Sequence, residues 1–289
     1  MRNAGYRIFM GDDPARRVLV IGCGYLGAAL LKDLARTGWE AAGITLSETS
    51  AAPLRQQGLR VLAVDIRTEN PRSLGLNGQD VIIHCASSRQ GGPVAYREIF
   101  LEAAERLLKE IEFQHFIFTS STSVYAQIDG SAVTEESPAA PQRETGTILR
   151  QAEEMVLARR GTVLRLSGLY GPGRCVPLRK LLSGEAGIEG DGKRIINSIH
   201  RDDAVSACRL AAIHRWPGVF NVTDNDPVTQ LQWFTWVCAR LKYPLPPFVP
   251  LDPNRKRGWT NKRVGNAKLR SQGWTPRYPS FREGVEELL

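Results

Sequence analysis

The run Val18-Leu19-Val20-Ile21 leads straight into Gly22-Cys23-Gly24-Tyr25-Leu26-Gly27, and residues 28–36 then carry apolar side chains at helical spacing up to Gly38. An apolar strand that breaks into a glycine turn and reopens as a helix is the first half of a βαβ unit. It commits the chain to a parallel sheet more firmly than any compositional figure. Each glycine has a reason: Gly22 permits the tight turn, Gly24 lets backbone approach a pyrophosphate, and Gly27 lets helix and strand pack closely. Tyr25 and Leu26 complete the loop, behind which the helix N-terminus offers unpaired N–H groups and a partial positive charge. The pattern predicts a dinucleotide-binding loop.

Further apolar runs at 40–45, 60–65, 81–85, 115–120 and 162–166 read as buried strands, with helical patterns clearest at 96–110 and 147–160. Alternating strands and helices predict an α/β fold with a doubly wound parallel sheet covered on both faces. After Tyr170 the alternation gives way to Gly171-Pro172-Gly173 and later to Pro244, Pro246, Pro247, Pro250 and Pro253. We therefore expect an N-terminal extension over 1–16, a dinucleotide-binding domain over 17–170 and a smaller C-terminal substrate lobe over 171–289. A helix at 200–215 and a strand at 219–222 should return residues 200–224 to the main sheet.

With 42% apolar and 24% charged residues among 289, the composition excludes a disordered or fibrous chain. No run reaches the roughly 18 apolar residues of a membrane span, and residues 1–17 lack a secretory hydrophobic core, so a cytoplasmic location without membrane contact is expected. Five cysteines, at 23, 85, 175, 208 and 238, show neither metal spacing nor a disulfide framework, and no metal is expected. The net charge of +8 favours an anionic ligand. Between Leu251 and Arg282 stand Arg255, Lys256, Arg257, Lys262, Arg263, Lys268, Arg270, Arg277 and Arg282, with Asp252 the only acid, which reads as a solvated basic face. No nucleic-acid module accompanies it, so nucleic acid is not an expected partner.

Enzymes that prefer NAD carry an acidic residue at the end of the second strand to hold the ribose hydroxyls. Here that strand ends Thr45-Leu46-Ser47, hydroxyls that suit a phosphate, with Arg55 as a possible cation. NADP is the expected cofactor; NAD stays possible because Glu48 would serve if the strand ran longer. Asp65 and Ile66 follow the third strand, where a carboxylate accepts from the adenine amino group. Cys85, Ala86 and Ser87 follow the fourth, beside the cofactor path, and His84 reads as a packed strand residue. The strand at 115–120 breaks into Thr119-Ser120-Ser121-Thr122-Ser123, at the carboxyl end where open α/β sheets bind ligands.

With Val124-Tyr125, Leu164 to Arg174 (LRLSGLYGPGR) and Ile199-His200-Arg201-Asp202-Asp203, these motifs resemble the extended short-chain dehydrogenase/reductase superfamily, in its NAD-dependent epimerase/dehydratase group, from residue 17 to residue 289. The resemblance implies a Rossmann-type fold, hydride transfer at a secondary alcohol or ketone of a small, sugar-related substrate, and Ser121 as the catalytic hydroxyl. It also implies a homodimer through helices 96–110 and 147–160, whose apolar residues Ile99, Leu107, Leu108, Met155 and Val156 serve either that interface or the sheet-facing core. Two features depart from it. The family's Tyr-x-x-x-Lys pair is replaced by Thr145 and Leu149, and the first motif is Gly-x-Gly-x-x-Gly rather than Gly-x-x-Gly-x-x-Gly. Tyr125, Tyr170, Arg150, Arg174 and His200 are candidates to supply the missing chemistry, and Ser121, Thr122, Tyr170, Arg174 and His200 are expected to hold substrate. A substitute tyrosine, with an ordinary pKa near 10, needs a cation beside it. The alternative reading is a dinucleotide-binding sensor or regulator that kept the pocket and lost catalysis, similar to the nitrogen-metabolite-repression regulators of the superfamily.

Overall fold

The computed structural model describes residues 16–88, 91–251 and 260–289. Apart from Arg16 the expected N-terminal extension lies outside them, as do Arg255, Lys256 and Arg257 of the basic run. Seven strands form the main sheet: β1 (Arg17–Ile21), β2 (Glu40–Thr45), β3 (Arg60–Ala63), β4 (Gln79–His84), β5 (Phe113–Ser121), β6 (Thr162–Leu166) and β7 (Gly218–Val222). Their order is β7-β6-β5-β4-β1-β2-β3, and every neighbouring pair is parallel. The winding reverses between β1 and β4, and a crevice at such a switch point is where sheets of this class take their ligands.

Strands buried on both faces need continuous apolar runs, and Val18 to Ile21 and Val81 to Ile83 are fully buried. Helices Tyr25–Arg36 and Arg201–His214 cover one face, closing Leu30, Leu31, Leu34, Ala207 and Ala211 over the sheet. The other face is covered by Phe100, Leu107, Ala152 and Val156. The helix expected at 96–110 is three consecutive segments, Pro93–Tyr96, a π-helical Arg97–Glu102 and Ala103–Glu110. Apolar spacing does not separate α from π, because both repeat near every fourth residue. Helix Glu144–Ala158 packs beside it. Of the five residues expected either at a dimer interface or in the core, Leu107, Leu108 and Val156 are core, and Ile99 and Met155 are half-buried and packed against that same core, with Ile99 also lining a cleft.

The second lobe has its own core of Tyr170, Leu178, Ile188, Trp233, Phe234 and Phe281. The chain crosses between the lobes more than once. Helix Arg201–His214 lies on the main sheet and β7 extends it, with Gly218 opposite Thr162. Val264, Leu269 and Trp274 also belong to the main-sheet cores, and the Trp274 Nε1–H donates to Ser206 Oγ at 2.9 Å. The sequence pattern alone places these residues in the smaller lobe, because isolated apolar side chains between turns carry no period that says which core they join. Among the described residues, no helix is long and apolar enough to cross a membrane.

Candidate functional site

Gly22 has a φ of +88°, and a Cβ there would lie 2.3 Å from the Ala86 Cα, so only glycine fits between β1 and β4. A Cβ on Gly27 would stand 2.2 Å from the Gly22 carbonyl oxygen, which is the close helix–strand approach expected of the third glycine. Gly24 differs: a Cβ there would meet nothing within 4 Å. Helix Tyr25–Arg36 starts directly after it, with no side-chain cap and no acidic residue in its first turn. An uncapped helix N-terminus beside open space is a place for an anionic group.

From that loop a cleft of about 480 Å³ runs across the carboxyl ends of β1 to β6. It is lined by Gly22, Gly24, Tyr25, Leu26, Thr45, Asp65, Ile66, Cys85, Ala86 and Ser87, all expected from sequence, and by Ser121 and Arg174. Gly27 supports the loop from behind without lining the cleft. Ser47 is not brought in: it precedes helix Glu48–Arg55 and bonds to Ser50 Oγ at 3.1 Å. Arg55 pairs with Glu48 at 2.5 Å and donates to the Val61 carbonyl, so neither the expected cation nor the rival carboxylate lines the cleft. Arg67, which the sequence reading missed, does line it. Its guanidinium grips Asp65 through Nε and Nη2 at 2.7–3.2 Å and holds that carboxyl below the usual carboxylate range. The run Asp65-Ile66-Arg67 was the signal available for it.

A second cavity, about 460 Å³, is lined by Ser123, Gln127, Asp129, Gln142, Arg143, Thr145 and Thr260 among others. Tyr96 and Leu149 line both cavities and so mark where they meet. Of the two positions where the resemblance puts the Tyr-x-x-x-Lys pair, Leu149 therefore stands at the wall between the two spaces and Thr145 lines the second cavity alone.

Several candidates lie elsewhere. Tyr125 is fully buried, its hydroxyl donating to Asn221 Oδ1 at 2.8 Å and accepting from Arg165 Nη1 at 2.9 Å. The cation that a substitute tyrosine needs is present, yet neither cavity reaches the phenol, and burial pushes its pKa up. Behind it lies a buried network in which Glu153 accepts from Ser120 Oγ at 2.6 Å, from Arg165 Nη2 at 2.6 Å and from Arg150. Arg150 is thus engaged on helix Glu144–Ala158 with Glu153 and Glu154. Thr122 is buried outside both cavities. Tyr170 is part of the second lobe's core, packed so tightly on Gly284 that a Cβ there would sit 2.1 Å from its hydroxyl. His200 caps helix Arg201–His214, its Nδ1 accepting from the Asp202 N–H at 3.3 Å. His84 is fully buried between the Phe100 and Phe118 rings, where loss of hydration lowers its pKa to about 4.

Arg174 is exposed and its guanidinium lies 5.2 Å from the Tyr25 ring centre, with Arg201 at 5.4 Å from the same ring. It therefore belongs to the glycine-loop end of the cleft and does not line the second cavity.

This arrangement is that of a dinucleotide-binding α/β protein with an adjoining small-molecule cavity. The model of the NAD dependent epimerase/dehydratase family matches residues 18–223, and the chain belongs to that family. Protein YeeZ of Escherichia coli (strain K12) is 28% identical over 205 residues, 68% of this chain and 72% of that protein. A 3-diazoavenalumate denitrifying reductase of Streptomyces sp is 32% identical over 140 residues, 43% of this chain and 46% of the reductase. Among solved structures, a functionally unknown conserved protein from Silicibacter pomeroyi DSS superposes with a TM-score of 0.78 at 28% identity, covering 95% of this chain and 98% of that one. MoeE5 in complex with UDP-glucose and NAD superposes at 0.79 with 24% identity, covering 93% and 96%, a likeness of fold.

Proposed function

We propose that this chain is an NAD(P)-dependent oxidoreductase or epimerase that moves a hydride at a secondary alcohol or ketone, with NADP preferred. The meeting of the cofactor cleft with a polar cavity at Tyr96 and Leu149 carries the reading. The bound nicotinamide supplies or accepts the hydride. The chain's own part is to hold and orient. The first-turn N–H groups after Gly24, with Arg174 over Tyr25, hold the pyrophosphate; Asp65 accepts from the adenine amino group. Cys85, Ala86 and Ser87 line the cofactor path, and the hydroxyl of Ser121 positions the reacting oxygen.

NADP is supported by the Thr45 hydroxyl at the end of β2, which lines the cleft, and by Glu48 being tied to Arg55 and absent from the cleft lining. Ser123, Gln127, Asp129, Gln142 and Thr145 suit a hydroxylated, sugar-like substrate, being donors and acceptors along one cavity. The UDP-glucose and NAD held by MoeE5 support the same class. Calorimetry tests the cofactor assignment: NADP should bind more tightly than NAD, and the reverse order would overturn it. Turnover is tested by NADPH oxidation over a panel of ketones and aldehydes. Thr145 and Leu149 favour a second reading, a dinucleotide-binding sensor, which predicts binding with no turnover on any such panel. Two copies pair through the segments Arg97–Glu102 and Ala103–Glu110 and helix Glu144–Ala158, with the half-buried Met155 at the contact; light scattering that gives a monomer at micromolar concentration removes this part.

A further inference from the structure

Reducing a carbonyl needs a hydride on carbon and a proton on oxygen, and Leu149 offers no proton while Thr145 is an unassisted aliphatic alcohol. A second threonine, Thr260, lines the same cavity, and it is not unassisted. Its Oγ1 accepts from Lys262 Nζ at 3.0 Å, and Nζ also donates to the Tyr125 carbonyl oxygen at 2.8 Å. Having accepted that bond, the Thr260 hydroxyl hydrogen has no acceptor among the described residues and is left for the cavity it lines.

Lys262 belongs by sequence to the basic run read as a solvated face, but it is only 4% exposed. The fold draws it inside. Arg263–Val264 pairs in parallel with Ala132–Val133, Asn197 Nδ2 donates to the Lys262 carbonyl, and Val264 N–H donates to Asn197 Oδ1. Among the described residues no carboxylate lies within ion-pair distance of the ammonium. The charged group facing it is Arg194, itself 3.5 Å from Glu189, and the Arg165–Glu153 pair lies beyond Tyr125 on the phenol side. Burying an ammonium without a counter-ion is costly. Burial first, and Arg194 second, bring its pKa down to about 8, close to where a proton donor works best.

We propose that Thr260 and Lys262 form the proton-delivering pair of the substrate cavity, in place of the tyrosine and lysine that helix Glu144–Ala158 lacks. The proposal rests on the hydride-transfer reading above. The carbonyl carbon takes the hydride from the reduced nicotinamide cofactor, and the carbonyl oxygen takes the Thr260 hydroxyl proton. The Lys262 ammonium restores that proton, and the neutral amine left behind regains one from water. Oxidation of an alcohol runs the same transfers backwards. Thr260 touches the substrate, and Lys262 acts through it.

The test combines kinetics with a readout that needs no turnover. NADPH oxidation by α-diketone probes is followed from about pH 6 to about pH 10 in the wild type, Lys262→Gln, Thr260→Val and Thr260→Ser, with NADPH affinity and melting temperature as controls. Wild-type kcat should fall above about pH 8. Lys262→Gln and Thr260→Val should each lose about 10²-fold or more in kcat and the alkaline limb, with NADPH affinity unchanged, and Thr260→Ser should keep both. In ¹⁵N-lysine protein saturated with NADPH, the Lys262 Nζ should titrate near pH 8, and Thr260→Val should move that midpoint. Turnover in the wild type with silent Lys262→Gln and Thr260→Val overturns the pair alone. An Nζ midpoint near the ordinary lysine value of about 10.4 does the same. Wild-type protein that binds NADPH but reduces no diketone overturns the pair and the hydride-transfer reading together.

Discussion

Substituting alanine at Gly22 and at Gly24 separates what the glycine loop does for the fold from what it does for a ligand. At Gly22 the new methyl would lie 2.3 and 2.4 Å from the Cα and N of Ala86, which are backbone atoms of the chain after β4 and have nowhere to go. A φ of +88° adds strain of about 1–3 kcal/mol for a residue with a Cβ. Together these should cost on the order of 3 kcal/mol, or about 6–12 °C in melting temperature for a chain of this size. At Gly24 the φ is −86° and the methyl meets no protein atom within 4 Å. A less favourable N-cap, about 1 kcal/mol, is set against a gain of about 0.4–1 kcal/mol from a less flexible unfolded chain. Gly24→Ala should therefore melt within about 4 °C of the wild type. Its methyl would occupy the space in front of the uncapped helix, so dinucleotide affinity should fall at least about tenfold, roughly 1.4 kcal/mol. Ligand-free thermal unfolding and calorimetry with NADP read the two effects separately. A Gly24→Ala protein that binds NADP like the wild type, or that unfolds as early as Gly22→Ala, refutes the assignment of the open space to the pyrophosphate.

Three further outcomes are expected. Ser121→Ala should depress turnover on any active carbonyl with little change in cofactor affinity, whereas Thr145→Ala should be nearly silent; a dead Thr145→Ala beside a fully active Ser121→Ala would show the family site carried onto the wrong residues. Glu153→Ala should destabilise by about 3–5 kcal/mol, because it strands the Arg165 guanidinium at 3% side-chain exposure, while Glu153→Leu with Arg165→Leu should recover much of that in urea unfolding. A Glu153→Ala loss below about 1 kcal/mol would contradict the buried pair. His115, buried against Thr162 Oγ1 at 2.7 Å, has its pKa lowered to about 4 by burial and by Arg215. A folded pKa below the unfolded value of about 6.5 gives stability that is present above pH 6.5 and lost as pH falls towards 4. Asp203, raised to about 6 by burial, acts in the opposite sense. The readout is therefore the difference between wild type and His115→Gln, which should shift in favour of the variant across that window, and a constant difference would argue against a buried neutral imidazole.

The sheet and the glycine-loop end of the cleft were legible because each is a local signal: apolar runs, a glycine turn, and hydroxyl or acidic residues directly after a strand. Ten of the expected cofactor-side residues line the cleft for that reason. The second cavity was not legible. Its lining comes from Tyr96, from the segment between Ser123 and Arg143, from the first turns of helix Glu144–Ala158 and from Thr260, residues far apart in sequence that share no period. Lys262 illustrates the difficulty best. In a run of arginines and lysines nothing local distinguishes the one that parallel pairing of Arg263–Val264 with Ala132–Val133 pulls inside. Tyr125 fails in the converse way: its position after the serine run suggested chemistry, and its phenol is spent on Asn221 and Arg165.

The arrival of β7 as the outermost strand has a consequence for the order of synthesis. β6 emerges from the ribosome well before Gly218–Val222, and at about 5–20 residues per second the intervening stretch takes several seconds to make. During that time the nascent sheet ends in an open edge at Thr162–Leu166, and the Tyr125 hydroxyl still lacks its Asn221 acceptor. A chain stopped at residue 170, although it holds every glycine of the loop, should therefore be an aggregation-prone fragment and not a free-standing nucleotide-binding domain. A soluble, monomeric 1–170 fragment with a cooperative melt would contradict this. A gene fusion or split that cuts between the motifs of the two lobes would sever the sheet itself, so the dinucleotide half of this protein is not a transferable part.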